Sequence, residues 1–540
     1  MQAIHDSVFS IRENVGLFHK KRKICNFTPR IRRVYRTEDE SALLELEIRL
    51  GASVHERVVR FEELASFDFE SSFMGAICAD DQGKPTQRLV VQYLRECLHE
   101  NRAQQSAGLY ITRGGWHEIA GKWCFVAGNT LLGQCGSNDV GLDLELKQRH
   151  LACGPEPLDT AESVEFLLRL FQQHSAVRIP TFAFTVVTAL RSVLEQEGIP
   201  PVGVLYLDGP QGVGKTTVAT DFCTLYDQNG RKSDVFDASS SDSAILDALA
   251  SAKDRIVLLD DICNESDAAD KRKRLALAAH SVRIAVNDTD RGRRRGWKTE
   301  QVRCRAGLVI TGEFPLRSAS ELTRCIRIPI MSRMTGRSAS DRMRAAASLA
   351  GYLSWFAEHM TDERARLREE FDMFCRESAR RREERLQKSL WQLAWGFDSF
   401  LRFALEIRAI DSSCRDAMRE LRDEILVDIF RETAALIEQT WSADMRNLAE
   451  VIATGIAKRQ LSVTRRRGCV CVPLQTLMGY LQEVSAGKIC NERQVTAALR
   501  QQDLLCMDQT GKSTCKVHGQ RMLRIYENKL KARKNHEFCN

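Results

Sequence analysis

A glycine-rich stretch followed by a lysine and two threonines is the first part of the sequence whose residue types could do chemistry. Residues 209–217 read GPQGVGKTT, which fits the pattern G-x-x-x-x-G-K-[ST] between an apolar segment and a helical segment. Glycines let the backbone turn tightly, so that several N–H groups point at phosphate oxygens, and the positive end of the following helix adds to the attraction. The predicted nucleotide-binding residues are Gly209, Pro210, Gln211, Gly212, Val213, Gly214, Lys215, Thr216 and Thr217.

Two side chains of this stretch have predicted roles in holding a nucleoside triphosphate and its metal ion. Lys215 is expected to reach the β and γ phosphates of ATP. The hydroxyl of Thr216 is expected to complete the ligand shell of Mg²⁺. A glycine-rich turn with an incidental lysine is the alternative, and the flanking strand and helix count against it.

Two adjacent carboxylates end the apolar segment IVLLDDI at residues 256–262. A fully apolar run of this length predicts a buried strand of a parallel sheet, whose carboxyl end is where a nucleotide would lie. Asp260 is expected to help hold Mg²⁺, and Asp261 is expected to polarise the attacking water. One carboxylate alone could cap a strand, but two in tandem favour a catalytic role.

Two further residues follow strand-like segments later in the chain. Thr311 stands near the end of LVITGE, where its hydroxyl could orient water beside the γ-phosphate. Arg324 precedes CIRIPI, and a guanidinium there could neutralise charge that develops on a γ-phosphate, usually across a subunit boundary. A structural salt bridge is an equally good interpretation of Arg324.

Between the two carboxylates and Thr311 lies a basic segment, NDTDRGRRRGWKTEQVRCR, at residues 287–305. Clustered cations beside glycine turns, with Trp297 among them, suit a loop that follows a phosphate backbone and stacks on a base. A solvated face is the ordinary alternative for such a charge run. The predicted DNA-binding residues are Arg291, Arg293, Arg294, Arg295 and Lys298, with Arg303 and Arg305 in the same segment.

The composition predicts a folded, cytoplasmic protein with no membrane segment. The chain has 540 residues, 43% of them hydrophobic, and a net charge of +7 that is too mild to name a partner. It contains no run of eighteen or more apolar residues and no signal-peptide pattern at its start. The 18 cysteines are scattered and none forms a C-x-x-C pair, which favours reduced core thiols over disulfides or zinc.

Changes of pattern along the chain predict a multidomain α/β protein. A period-two pattern dominates the beginning, strands alternate with helices around the glycine-rich stretch, and a 3.6-residue period with dense charge follows. The last segment has the order helix, helix, hairpin. The predicted units are a β-rich N-terminal domain at 1–155, a P-loop ATPase domain at 156–337, an all-helical domain at 338–458 and a winged-helix-like DNA-binding domain at 459–540, whose wing could equally contact protein.

The ordered set GPQGVGKTT, IVLLDDI, LVITGE and TRC resembles AAA+ ATPases, in which TRC looks like the Ser-Arg-Cys motif that carries an arginine finger. ICNFTPRI, the GGWH of residues 114–117 and VNDTDRGRRRG are similar to a family of ATPases borne on bacterial mobile elements. That family includes the MCM-like self-loading replicative helicases of staphylococcal chromosome cassettes and pathogenicity islands. The resemblance covers roughly residues 20–335 and the C-terminal winged helix. Asp261 departs from it, since AAA+ proteins usually have the longer Glu there.

The resemblance implies an AAA+ core that binds ATP and Mg²⁺ and a homo-hexameric ring that acts on DNA. In such a ring the basic segment would project towards the central channel, and hydrolysis would move it along DNA. The implied partners are single-stranded DNA and a forked or origin duplex, which residues 491–501 and the wing residues Lys512 and Lys516 would contact.

Two other functions fit the same residues. The first is a non-translocating AAA+ switch, such as a clamp-loader-like or transposition ATPase, and the second is a defence-system ATPase that senses nucleic acid. For Trp116 and His117 in GGWH, a functional motif competes with the commoner explanation of a buried aromatic beside a glycine turn.

Overall fold

The structure is a computed structural model of the chain. It describes residues 8–13, 15–37, 41–100, 108–134, 140–154, 158–262, 268–287, 291–295, 298–314, 316, 318–334, 340–378, 383–446, 448–466, 468–484, 492–507, 512–517 and 520–532. Within residues 291–302 it describes the backbone strands without the side chains. Trp297 lies outside the described residues, as do the side chains of the five predicted DNA-binding residues.

The strands occur in three groups along the chain. Those of the N-terminal part are Phe9–Arg12 (β1), Gly16–His19 (β2), Arg22–Cys25 (β3), Thr28–Arg36 (β4), Ala42–Leu50 (β5), Ser53–Arg60 (β6), Gly108–Ile111 (β7), Gly115–Ile119 (β8), Lys122–Ala127 (β9), Thr130–Gly133 (β10), Val140–Leu142 (β11) and Arg149–Leu151 (β12). Those of the middle are Val204–Asp208 (β13), Tyr226–Gln228 (β14), Arg231–Lys232 (β15), Val235–Asp237 (β16), Ile256–Ile262 (β17), Arg291–Arg295 (β18), Lys298–Val302 (β19), Gly307–Gly312 (β20) and Cys325–Pro329 (β21). Those of the tail are Thr464–Arg466 (β22), Cys469–Pro473 (β23), Thr514–Val517 (β24) and Gln520–Tyr526 (β25).

Helices connect these strands and dominate the second half of the chain. Up to the end of the central sheet they are Phe69–Ser72 (α1), Gln87–Glu100 (α2), Leu144–Lys147 (α3), Thr160–Phe171 (α4), Ser175–Ala189 (α5), Arg191–Gln196 (α6), Lys215–Phe222 (α7), Asp242–Ser251 (α8), Ala268–Val286 (α9) and Ala319–Leu322 (α10), with a 3₁₀ turn at Phe61–Ser66. Beyond it they are Ser340–Glu358 (α11), Met360–Glu377 (α12), Glu384–Glu406 (α13), Ser412–Arg446 (α14), Leu448–Ala457 (α15), Leu474–Val484 (α16), Glu492–Gln501 (α17) and Glu527–Ala532 (α18). Among the residues described, no helix is long and apolar enough to cross a membrane.

Small β-sheets make up the N-terminal part, as the period-two pattern predicts. One sheet has the order β11-β7-β4-β5-β6, and β1-β2-β3 and β10-β9-β8 form two others. Residues at period two in β5, namely Leu44, Leu46 and Ile48, are buried with Phe27 and Phe69 in one core. This part of the chain therefore has a hydrophobic core of its own.

A parallel sheet with the order β16-β17-β20-β13-β21 carries the candidate site. Successive residues of β13 enter two different cores: Leu205 and Leu207 pack on one face of the sheet, and Val204 and Tyr206 pack on the other. Strands that are buried on both faces read as continuous apolar runs, because neither face meets water. The prediction of a mixed α/β chain with a parallel sheet is confirmed.

Helices α4, α5, α11 and α13 cover one face of this sheet and share its core. Helix α13 crosses α5 closely at Gly396, where a Cβ would lie 2.4 Å from Cγ2 of Val187. The segment after residue 338 is helical in every described element up to Ala457, as predicted. Its buried residues as far as Ile429 belong to the core of the sheet, so the division of the chain at residue 337 stays a prediction.

The Gly-Gly-Trp-His stretch lies where the N-terminal strands meet the central sheet. Trp116 is buried, and its indole N–H donates a hydrogen bond to the carbonyl oxygen of Ala189 at 2.8 Å. Its backbone N–H donates to a carboxylate oxygen of Asp254 at 3.1 Å, and Asp254 is itself buried just before β17. A Cβ at Gly115 would come within 2.3 Å of that carboxylate. The interpretation of this motif as a buried aromatic beside a glycine turn is confirmed.

The tail contains the helix, second helix and hairpin that its sequence predicts, in α16, α17 and β24-β25. These elements enclose a core separate from that of the central sheet, with Leu477, Leu499 and Leu523 among its buried residues. The sheet also includes β23, which pairs with β25 and with β22. The assignment as a winged helix stays a prediction.

Cys471 in β23 lies close to a cysteine of another strand in the same sheet. Sγ of Cys515 lies 3.9 Å from Sγ of Cys471, although β25 runs between their strands. Burial raises the pKa of Cys471, so its thiol stays protonated at neutral pH. Within the described part of the chain, no cluster of three or more His, Cys, Asp or Glu residues could hold a metal ion. Cys471 is buried with Val517 and Met522, and Cys515 packs against this small cluster.

Candidate active site

The glycine-rich loop between β13 and α7 adopts backbone conformations that only its glycines accept easily. Gly212 and Gly214 have φ angles of +77° and +97°, in the left-handed region that residues with a Cβ rarely adopt. At Gly209 a Cβ would lie 2.0 Å from the carbonyl oxygen of Ile330, which follows β21. The loop leads into the first residue of α7, Lys215, so it places a helix N-terminus where an anion could bind.

The ammonium group of Lys215 lies against this loop. It donates hydrogen bonds to the carbonyl oxygens of Gly209 and Pro210, both at 2.8 Å. A phosphate in the loop would offer the same group a charged acceptor, and such hydrogen bonds are stronger than those to a neutral carbonyl. Of the remaining predicted loop residues, Pro210, Gln211 and Thr217 are exposed and Val213 is buried.

Asp260 joins three elements at the carboxyl edge of the sheet. Its Oδ1 accepts a hydrogen bond from the hydroxyl of Thr216 in α7 at 2.8 Å. The same oxygen accepts another from the hydroxyl of Thr311 in β20 at 2.5 Å. Because β20 lies between β13 and β17, Thr311 stands between the glycine-rich loop and the two aspartates. The strand order therefore assembles residues that are far apart in the sequence.

Asp261 projects from a bulge at the end of β17. Its φ angle is +66°, and the register of β17 against β20 shifts between Leu259 and Ile262. Its backbone N–H donates to the hydroxyl of Thr311 at 3.0 Å. Its side chain is 58% exposed, so the carboxylate faces the solvent and not the core of the sheet.

Three charged residues near this edge have no motif in the sequence that would single them out. Asp208, the last residue of β13, is buried and accepts a hydrogen bond from Nη2 of Arg327 in β21 at 2.7 Å. Burial raises the pKa of Asp208, and the charge of Arg327 opposes that rise. Arg274 in α9 donates to the backbone carbonyl oxygen of Asp261 at 3.1 Å. An arginine inside the apolar run CIRIPI is the one sequence signal that could have pointed to Arg327.

The structure does not bring Arg324 to the other predicted site residues. It precedes β21 and its carbonyl oxygen accepts from N–H of Val204, at the start of β13. The glycine-rich loop begins at the other end of β13, which is about 16 Å away at ~3.3 Å per residue. Lys215, Thr216, Asp260, Asp261 and Thr311, by contrast, lie together at the carboxyl edge.

Within the part of the chain that the structure describes, Arg324 forms no salt bridge of the kind that its structural interpretation requires. Its guanidinium donates to the hydroxyl of Ser320 at 2.7 Å and to the carbonyl oxygen of the same residue. Among the described residues, no carboxylate oxygen lies within the 4.0 Å of a salt bridge. Burial lowers the pKa of Arg324, and the charges of Arg385 and Arg283 lower it further. Arg324 lines a cavity of about 500 Å³ with Arg303, Arg385 and Lys388 among the other lining residues.

The basic segment forms a β-hairpin. Strands β18 and β19 pair antiparallel, with Arg291 opposite Val302 and Arg295 opposite Lys298. Arg191 of α6 is a buried arginine that no sequence motif marks. It bonds to the chain both before and after the hairpin. Its guanidinium donates to the carbonyl oxygens of Ala306, Cys304 and Ala285 at 2.6, 3.3 and 3.3 Å. The hairpin is thus anchored between α9 and β20.

The fold resembles that of a helicase of known structure. The SCCmec type IV Cch active helicase superimposes at a TM-score of 0.58 and 11% sequence identity, over 98% of this chain and 100% of that chain. The likeness spans the whole chain, so we describe its mixed α/β, multidomain architecture as a helicase-like fold. An identity this low is a finding about the fold alone.

Two other solved structures are more distant. The C-terminal region of NrS-1 has a TM-score of 0.28 and 12% identity, over 91% of this chain and 96% of that chain. The JCV helicase with a bound acetamide compound has a TM-score of 0.21 and 13% identity, over 51% of this chain and 73% of that chain. Scores this low carry no argument. No protein-family model matches the sequence, and no curated protein matches it.

Proposed function

We propose that this chain is an ATP-dependent DNA helicase with an AAA+ P-loop core, which serves as the replication initiator of a mobile genetic element and works as a homo-hexamer. The observation that carries the proposal is the chain of hydrogen bonds from Thr216 through Asp260 and Thr311 to Asp261, beside the loop that holds Lys215. Phosphoryl transfer to water needs a phosphate cradle, oxygen ligands for a metal ion and a carboxylate for the water. This edge of the sheet offers all three.

The residues present fit ATP and Mg²⁺. The N–H groups of the loop and of α7 bind phosphate oxygens, and Lys215 places a positive charge beside the β and γ phosphates. Thr216 and Asp260 offer two oxygen atoms 2.8 Å apart, and oxygen donors are the ligands that Mg²⁺ prefers. The chemistry that Mg²⁺ supplies there is neutralisation of phosphate charge. Asp261 accepts a hydrogen bond from the attacking water and aligns it with the γ-phosphorus.

Arg324 acts on the nucleotide of a neighbouring subunit. Its position at the amino edge of the sheet separates it from its own loop, whereas a ring brings that edge of one subunit to the nucleotide of the next. Its Nε atom is buried without a hydrogen-bond partner among the described residues, and Arg303, Arg385 and Lys388 line the same cavity with one carboxylate, that of Glu195. An arginine with an unmet donor in a cavity of mainly positive charge suits the charge that develops on a γ-phosphate.

The basic hairpin couples hydrolysis to DNA. It lies between α9, which follows the two aspartates in the chain, and β20, which carries Thr311. Arg191 bonds to α9 before the hairpin and to the segment that leads from the hairpin into β20, so a small displacement of either element at the nucleotide site reaches the hairpin. The helicase-like fold supports this assignment. Helix α17 and the wing residues Lys512 and Lys516 contact duplex DNA in the same proposal.

Strand separation on a forked duplex tests this function. The wild-type protein is expected to separate the strands with ATP and Mg²⁺ and to fail with a non-hydrolysable ATP analogue. DNA-stimulated hydrolysis without strand separation would contradict the helicase assignment and identify a non-translocating switch. Hydrolysis that produces nuclease activation in a partner, again without unwinding, would identify a nucleic-acid-sensing ATPase.

A further inference from the structure

Asp261 has a backbone conformation that costs free energy for any residue with a Cβ. Its φ angle of +66° lies in the left-handed region, and it interrupts the pairing of β17 with β20. Leu259 before the bulge and Ile262 after it are fully buried, while 58% of the Asp261 side chain is exposed. The bulge therefore brings the Asp261 side chain to the surface, although the apolar residues of the strand are buried.

Two side chains from outside the strand hold this conformation. Thr311 accepts the backbone N–H of Asp261 at 3.0 Å. Arg274 donates from Nη1 to the backbone carbonyl oxygen of Asp261 at 3.1 Å, and the same nitrogen lies 4.0 Å from Oδ2 of the carboxylate. The side chain of Arg274 is only 19% exposed, so α9 and the sheet confine it at this contact. Both peptide groups that flank the strained residue are thus engaged.

We propose that Arg274 is a positioning residue for ATP hydrolysis, one that holds the bulge so that the carboxylate of Asp261 meets the attacking water. This inference rests on the proposed function, since it concerns the same site. The physical need for the bulge follows from side-chain length. An aspartate on a regular strand would stop about one methylene short of the reach of a glutamate, and the bulge moves its backbone outward instead. In this role Arg274 acts through Asp261.

The neighbouring residue provides a matched control. Lys273 precedes Arg274 on α9, carries the same charge and is exposed. Lys273→Ala therefore removes one positive charge from the same helix without touching the bulge. Arg274→Lys keeps the charge and a donor group but loses the planar guanidinium, so it is expected to restore part of what Arg274→Ala loses.

Steady-state ATP hydrolysis by the full-length protein tests the inference. Arg274→Ala is expected to lower kcat on the order of tenfold, because a small misplacement of a catalytic group has an effect of this size or larger. The KM for ATP should change less than twofold, since Lys215 and the loop are untouched, and Lys273→Ala should match wild type. Arg274→Ala in an Asp261→Asn background should cause no further loss, because Arg274 acts through that carboxylate.

Several results would overturn the inference. They are a kcat for Arg274→Ala equal to or above that of wild type, an equal loss in Lys273→Ala, or a further full loss in the Asp261→Asn background. A rise in KM together with lost ATP binding would assign Arg274 a structural role, and the inference would fail as well. Failure of the proposed function gives a different result. The wild-type protein would then show no ATP hydrolysis that depends on Lys215.

Discussion

The hydroxyl of Thr311 donates a hydrogen bond to Oδ1 of Asp260 at 2.5 Å. The hydroxyl oxygen of Thr311 also accepts a hydrogen bond from the backbone N–H of Asp261, so one side chain contacts both adjacent aspartates. Thr311 is only 1% exposed. Its burial and its two contacts favour a role in holding the aspartates over the water-orienting role that the sequence suggests.

Removal of this hydroxyl is expected to impair hydrolysis more than nucleotide binding. Thr311→Val keeps the shape of the side chain but breaks both hydrogen bonds, so we expect kcat to fall by roughly ten- to a hundredfold with little change in KM for ATP. Phosphate release gives both constants. Thr220→Val is the matched control, because Thr220 is a buried threonine whose hydroxyl donates to the Thr217 carbonyl oxygen within α7. An equal loss in the control would show that the effect is general destabilisation.

Variants at Lys215 and Asp261 should distinguish nucleotide binding from ATP hydrolysis. Lys215→Ala removes the charge held at the loop, so it is expected to abolish ATP turnover and to weaken nucleotide binding. Asp261→Asn keeps the position in the bulge and its backbone contacts but loses the carboxylate, so binding should remain while hydrolysis falls to a low but measurable residual rate. Equilibrium binding of a fluorescent ATP analogue, together with phosphate release, measures both. Hydrolysis at the wild-type rate by Lys215→Ala would refute the site.

Mixed oligomers test whether Arg324 acts across a subunit boundary. Arg324→Ala subunits and Asp261→Asn subunits should each hydrolyse ATP far more slowly than wild type when tested alone. In a mixture, some interfaces combine an intact Arg324 with an intact aspartate pair, so part of the ATPase activity should return. The ratio of the two variants is varied and phosphate release is followed. No recovery at any ratio, while oligomers still form, would contradict action in trans.

Asp254 is expected to matter for stability rather than for catalysis. Its buried carboxylate accepts hydrogen bonds from N–H of Trp116 and from N–H and the hydroxyl of Ser192. Asp254→Ala leaves these buried donors unpaired, which should lower the free energy of unfolding by about 3 kcal/mol. The first thermal or urea transition measures the loss. Asp372→Ala, at an exposed position of α12, is the control, and equal stability of the two variants would contradict the role of Asp254.

The parts of the site that the sequence predicts are those that local patterns encode. GPQGVGKTT and IVLLDDI each combine an element boundary with residue types that only one kind of site needs, so Lys215 and the tandem aspartates could be found without coordinates. The parallel sheet follows from alternating strands and helices in the same way.

The remaining contacts depend on which strands become neighbours, and no local pattern encodes that. Thr311 meets Asp260 because β20 lies between β13 and β17, and Asp208 meets Arg327 because β21 lies on the other side of β13. The left-handed conformation of Asp261 could not be predicted, because the run IVLLDDI reads as a regular strand. The shared core of α4, α5, α11 and α13 likewise arises from tertiary packing, which composition does not show.

If hydrolysis at this site drives the basic hairpin along DNA, a triple variant of the hairpin should separate hydrolysis from unwinding. The measurement is the number of base pairs of a forked duplex separated per ATP hydrolysed, for wild type and for a variant with Arg293, Arg294 and Arg295 all replaced by Ala. We expect DNA-independent hydrolysis to survive in the variant, because Lys215 and Asp261 are unchanged. The yield per ATP should fall at least tenfold, and the salt dependence of DNA binding should flatten because fewer counterions are released. A variant that unwinds with the wild-type yield and an unchanged salt slope would contradict this role of the hairpin.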